Sequence, residues 1–118
     1  VLHAPSLRPE EVNYAHVFNA CLLGLSYLKL QRPGPARAWF EWGLQHLPLR
    51  GHDAFPNEAW VGIFKGHVGL VLLAQNRPDE AFPYLREGLD RTAPAGVWNS
   101  VATFASRLSG LHLTRGDV

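Results

Sequence analysis

Apolar residues recur along this chain every three or four positions, which is the spacing of one helix face and not the alternation of a strand. Proline and glycine interrupt these runs and indicate where each helix begins and ends. Pro9, Pro35 and Pro78 stand in the first turn of a predicted helix, where proline pre-sets φ. The pattern predicts an all-α chain of about five helices, over residues 10–30, 35–47, 57–75, 78–92 and 97–115.

Two stretches of 21 residues follow the same pattern. They read GLSYLKLQRPGPARAWFEWGL from Gly24 and GLVLLAQNRPDEAFPYLREGL from Gly69, at an offset of 45 residues. A glycine inside a helix costs about 1 kcal/mol relative to alanine, so its repetition predicts that another helix packs closely there. We expect two helical hairpins side by side, each placing a large side chain in the small-residue position of its neighbour, at Gly24 and Ala36 and at Gly69 and Ala81.

The small and large residues of these stretches have a characteristic spacing. In the first unit the positions are Leu23, Gly24, Tyr27, Ala36, Phe40, Gly43 and Pro48. In the second they are Val68, Gly69, Leu72, Ala81, Leu85, Gly88 and Pro94, a looser match. This spacing resembles the tetratricopeptide repeat, a family of helical hairpins. A third unit, with Gly110 and Leu113, has only its first helix, so the resemblance covers about residues 10–115.

Two features depart from the pattern of that family. Its repeat is about 34 residues long, whereas 45 residues separate Gly24 from Gly69, and the excess lies in PLRGHDAFPNEA between the hairpins. Ala20 and Lys65 replace the aromatic residue near the start of the first helix. An ordinary five-helix bundle with two similar hairpins is therefore the alternative architecture.

The resemblance implies one domain over residues 1–118, with hairpins at about 10–48 and 57–93 and a final helix at about 97–115. These hairpins would stack as a short right-handed superhelix. In the family, the first helices of successive hairpins line a concave groove that binds a peptide or helix of a partner protein. The resemblance therefore implies a scaffold for protein–protein interaction and not an enzyme.

The predicted groove is mainly apolar. The positions expected to bind the partner are Phe18, Cys21, Leu22, Leu25, Leu28, Lys29, Gly66, His67, Leu70, Leu73, Ala74, Phe104, Arg107 and Leu111. Family members that hold a peptide carboxylate use Lys, Asn and Arg, and here only Lys29, His67 and Arg107 could serve. We therefore expect an apolar helix or extended segment as the ligand. The alternative is that these leucines are ordinary core, covered by a further helix.

Composition narrows the class of partner. Of the 118 residues, 47% are hydrophobic and 18% are charged, and the net charge is +1. The basic residues form no block, which argues against direct nucleic-acid binding. No apolar run approaches the roughly 20 residues of a membrane-spanning helix, and no signal peptide is apparent. We expect a cytoplasmic location and no membrane contact, and a homo-oligomer stays open.

No cofactor or metal site is predicted. None of the six histidines has the i, i+4 spacing of a helical zinc pair. There is no glycine-rich phosphate loop and no nucleophile elbow, so we expect no catalytic activity. A helical enzyme or small-molecule pocket built around the histidines is a further hypothesis. Cys21 lies in the apolar run NACLLGL and is expected to be a buried, inert thiol.

Trp42 lies about 240° around its helix from Ala36, which predicts that it stays outside the buried stripe. It would then face a partner or the loop between Pro48 and Pro56. The chain begins at Val1 and contains no methionine, which predicts a processed form or a part of a longer protein. In that case it would be a regulatory or oligomerising segment, such as the helical-repeat part of a bacterial transcription regulator.

Overall fold

The computed structural model describes residues 14–47 and 57–115. These residues form five α-helices and no strand, which confirms the all-α prediction. The helices are α1 (Tyr14–Lys29), α2 (Pro33–Gln45), α3 (Asn57–Ala74), α4 (Pro78–Thr92) and α5 (Trp98–Arg115). The predicted helix start at Pro9, the loop from Pro48 to Pro56 and the cap at Gly116 lie outside the described residues.

The turns that close the two hairpins have the same geometry. After α1, Gln31 adopts a left-handed conformation with φ of 60°, and the amide of Arg32 donates to the Tyr27 carbonyl at 2.9 Å. This combination is the Schellman motif that ends many helices. The corresponding residues after α3 repeat it: Asn76, Arg77 and Leu72.

A proline follows each of these turns and begins the next helix. Pro33 opens α2 and Pro78 opens α4. Since the first residue of a helix needs no amide hydrogen for an intrahelical bond, proline is tolerated there. The predicted start of the second helix at Pro35 is therefore two residues late, because Pro33 already occupies the first helical position.

The repeated glycines lie where the two helices of each hairpin touch. A Cβ atom on Gly24 would overlap the ring of Phe40, and one on Gly69 would lie 2.8 Å from Cγ of Leu85. Phe40 and Leu85 are both fully buried. So are the alanines predicted to share these small-residue positions, Ala36 and Ala81. A large side chain therefore fills the space at each glycine, as predicted, but it comes from the second helix of the same hairpin and not from the neighbouring hairpin.

Three further close contacts surround α3. The ring of Phe64 on α3 lies against Gly43 of α2, and the ring of Phe104 on α5 lies against Gly66 of α3. A Cβ atom on Gly88 of α4 would lie 2.6 Å from Cα of Gly66. Helix α3 is consequently the central element, packed on all four other helices.

The described helices pack in the order in which they follow one another along the chain. Each helix packs on the next along the chain, and α3 also packs on α1 and α5. Within residues 14–47 and 57–115, α1 makes no contact with α4 or α5, and α2 makes none with α4 or α5. Helices α1, α3 and α5 therefore lie side by side in one layer, with α2 and α4 behind them.

The placement of Trp42 corrects the sequence-based expectation. Its side chain is only 6% exposed, so it is buried and not an outward-facing residue. Its ring stacks on His46 at 4.1 Å and meets Trp39 edge to face at 6.3 Å. An angle measured from Ala36 missed this burial because α2 packs on α3 as well as on α1. The proposed contact with the Pro48–Pro56 loop lies outside the described residues.

Candidate binding groove

A groove of about 480 Å³ runs between α1, α3 and the beginning of α5. It forms because α3 packs on both α1 and α5 while α1 and α5 do not meet. The α1 side contributes Phe18, Cys21, Leu22 and Leu25, and α3 contributes Trp60, Ile63, His67 and Leu70. The α5 side contributes Val97, Asn99, Ser100 and Thr103.

A second cavity of about 330 Å³ continues along the same layer. It is lined by Leu28, Leu70, Leu73, Ala74 and Arg107. Leu70 lines both cavities, so we treat them as one surface and call it the groove. Along α3 the groove extends from Trp60 to Ala74.

Most of the residues predicted to face a partner lie along the groove. These are Phe18, Cys21, Leu22, Leu25, Leu28, His67, Leu70, Leu73, Ala74 and Arg107. The two cavities thus bring side chains from α1, α3 and α5 onto one surface.

Four predicted residues do not line the groove. Phe104 is fully buried against Gly66, and Leu111 is also buried, so these three belong to the core. Lys29 is exposed and lies beside Leu28 in the sequence without lining either cavity. For Phe104 and Leu111 the physical reason is the rotation of α5, which buries Phe104, Leu108 and Leu111 and places Asn99, Ser100 and Thr103 along the groove.

Six groove residues were not predicted, and one of them could have been. Ile63 follows Phe18 by 45 residues, so the offset that aligns the hairpins would have transferred the assignment of Phe18 to it. The α5 residues could not be predicted in this way because α5 has no second helix with which to align it. The other residues missed are Trp60, Val97, Asn99, Ser100 and Thr103.

Large apolar side chains remain accessible at the α1 edge of the groove. Phe18 is 44% exposed and Leu22 is 46% exposed. The ring of Phe18 meets that of Trp60 edge to face at 6.5 Å, and Trp60 stacks on Phe64 at 5.6 Å. The exposed rim is thus held on a rigid aromatic floor. Accessible apolar groups clustered in this way are typical of interaction sites.

Among the described residues that line the larger cavity, His67 and Cys21 are the titratable groups. Its ring is 8% exposed, stacks on Phe40 at 5.1 Å and meets Phe104 edge to face at 5.6 Å. Burial lowers the pKa of His67 to about 4, an effect that the Ile63 carbonyl partly offsets. Nδ1 of His67 is buried and has no hydrogen-bond partner among the described residues.

Cys21 has the properties expected of an inert thiol. It is buried at the edge of the groove, and burial raises its pKa to about 11. The thiolate is the nucleophilic form of cysteine, and at neutral pH this side chain is protonated. Cys21 therefore contributes apolar surface to the groove and no reactivity.

Charged side chains are distributed unevenly over the described surface. On α2, α3 and α4 the cations pair with nearby carboxylates, as in Arg37 with Glu41 at 2.7 Å and Lys65 with Glu87 at 3.0 Å. Among the described residues, no Lys, Arg, Asp or Glu lines the larger cavity. Arg107 lines the smaller cavity, is exposed, and makes no ion pair with another described residue.

The described residues contain no group of three His, Cys, Asp or Glu side chains that could hold a metal ion. Within the same part of the chain, no helix combines the length and apolar character needed to cross a membrane. Comparisons with protein-family models, with curated proteins and with solved structures found no match to this chain.

Proposed function

We propose that this chain is a non-catalytic protein–protein interaction module of tetratricopeptide-like hairpins, and that its groove binds a peptide or helix of a partner protein. The observation that carries this proposal is the groove itself. It places half-exposed Phe18 and Leu22 beside buried aromatic rings, and the described residues that line its larger cavity carry no charge.

The two hairpins support the repeat-like part of the proposal. Their turns use the same left-handed residue and the same hydrogen bond. Their helices touch at equivalent glycines, Gly24 and Gly69. Repeated hairpins of this kind stack because one hairpin alone cannot bury its apolar face. Stacking leaves the layer formed by α1, α3 and α5 available to a partner.

The chemistry of the groove favours binding over catalysis. Catalytic acids and bases are usually poised near the working pH by partners of opposite charge. His67 instead has its pKa lowered to about 4 by burial, and it stacks on phenylalanine rings. The thiol of Cys21, with its pKa raised, is not a nucleophile at neutral pH.

A capture experiment with matched variants tests the proposal. The tagged chain serves as bait in an extract of the cells that make it, alongside Leu22→Asp and Leu30→Asp. Leu22 is in the groove and Leu30, 68% exposed, is not in its lining. We expect Leu22→Asp to lose the captured protein and Leu30→Asp to retain it, because only the first places a charge on the contact surface.

Circular dichroism decides whether this loss reports on binding. Both variants should keep the helical signal of the parent chain, since both positions are largely open to water. If Leu22→Asp unfolds the chain, Leu22 is core and the groove assignment is wrong. If all three baits capture the same protein equally, the partner binds elsewhere.

A further inference from the structure

We infer that the groove takes an amphipathic helix of a partner protein, with an acidic side chain at the end that lies beside Arg107. This inference rests on the proposed function and specifies its ligand. Two independent features of the groove carry it, the hydrogen-bonding capacity of its floor and the distribution of charge along it.

The floor of the groove offers almost nothing to an extended backbone. It is made of helices whose backbone groups bond internally, so it has no strand edge to which a peptide could add. Among the described lining residues of the larger cavity, the polar side chains on the α5 side are Asn99, Ser100 and Thr103, and three side chains cannot pair every backbone group of an extended segment. An extended segment would bury unpaired amide and carbonyl groups against Trp60 and Leu70, at about 1–3 kcal/mol for each group. A helix pairs these groups internally and avoids that penalty.

The dimensions of the groove suit a helix of moderate length. From Trp60 to Ala74, α3 advances about 21 Å at 1.5 Å per residue. A helix of about 14 residues covers that length with four turns. Its apolar residues, spaced at i, i+3, i+4 and i+7, would pack between the leucines of α1 and the aromatic floor.

Charge sets the direction in which this helix binds. Arg107 lines one end of the groove together with Leu28 and Ala74, and it makes no ion pair with another described residue. Cations elsewhere on α2, α3 and α4 are paired, as Arg86 is with Asp90 at 3.5 Å. An acidic side chain on the ligand would therefore complement the end of the groove at Arg107. The other end is lined by uncharged Asn99, Ser100 and Thr103.

Selection from displayed peptides tests both features with defined probes. Two libraries of 16-residue peptides are used in equal numbers, one with apolar residues at helical spacing and one with strand-like alternation. All other positions, including both ends, are randomised. The baits are the parent chain, Arg107→Glu and Arg86→Glu. The last variant reverses an exposed charge on α4, remote from the groove lining.

The expected result for Arg107→Glu differs from that for the other two baits. The parent chain and Arg86→Glu should enrich helix-patterned peptides with Asp or Glu at one end, and Arg107→Glu should enrich Lys or Arg there. A proline placed in the middle of a selected peptide should weaken binding by more than about tenfold, because it breaks the helix. Arg107→Glu should weaken the acidic peptide by about tenfold, and a lysine in place of its acid should restore binding.

Other outcomes separate this inference from the proposed function. Strand-patterned winners, tolerance of proline or no charge preference would overturn the acidic-helix inference while leaving a binding groove in place. If the parent chain enriches neither library more than a Leu22→Asp bait does, that result counts against the proposed function itself. Light scattering on the parent chain and on Leu22→Asp completes the test, since a dimer lost in the variant would make a second copy the occupant.

Discussion

At the scale of single residues, His67 couples the stability of the protein to pH. Two phenylalanine rings enclose it, and burial lowers its pKa to about 4 from an ordinary value of 6.5. The unfolded chain therefore binds a proton at this residue before the folded chain does as pH falls. The contribution of neutral His67 to the free energy of unfolding is fully present above about pH 6.5. It is lost as the pH falls from about 6.5 to about 4.

The size of this effect can be measured by urea unfolding at pH 7 and at pH 4.5. Each pKa unit corresponds to about 1.4 kcal/mol, so full protonation would cost the fold about 3 kcal/mol. The variant His67→Gln removes the titrating group, and we expect its stability to change much less over the same interval. An equal loss in His67→Gln would assign the pH dependence to other groups.

At the scale of helices, glycines set the distance between α3 and α4. A Cβ atom on Gly88 would lie 2.6 Å from Cα of Gly66, which is backbone and cannot rotate away. We therefore expect Gly88→Ala to separate the two helices and to cost about 1–3 kcal/mol of unfolding free energy. Thermal or urea unfolding measures this directly.

A matched substitution controls for the helix preference of alanine. Gly110 lies within α5, is exposed, and has no atom within 4 Å of the position that a Cβ would occupy. There Gly110→Ala should stabilise the chain by up to about 1 kcal/mol. Opposite signs for the two substitutions support the packing described, and a stabilising Gly88→Ala would contradict it.

The helices and the turns between them could be predicted from the sequence. How the helices pack on one another could be predicted only in part. The repeated Arg-Pro predicted both hairpin turns because a turn depends on residues close in sequence. The contact of Gly24 with Phe40 could be predicted for the same reason, since one short turn separates them. The orientation of α5 could not, because apolar spacing defines a stripe without saying which neighbour it faces, and Phe104 turned inward onto Gly66.

At the scale of the whole molecule, α3 lies at the centre of the described helices and packs on the other four. A closed bundle would bring α1 against α4 or α5. Among the described residues, α1 contacts neither of these helices. The groove is a direct consequence of this order, because α1 and α5 are held apart by α3. The proposal of an interaction module therefore depends on that face being available to a partner.

Three tryptophans provide the most direct test of whether that face is available to a partner. Trp60 lines the groove, whereas Trp39 and Trp42 are buried on α2 behind it. The indole resonances of the ¹⁵N-labelled chain are followed by nuclear magnetic resonance while a partner segment that it captures is added. We predict a shift of the Trp60 signal with little change at Trp39 and Trp42. Shifts at Trp39 and Trp42 with an unchanged Trp60 would contradict the account.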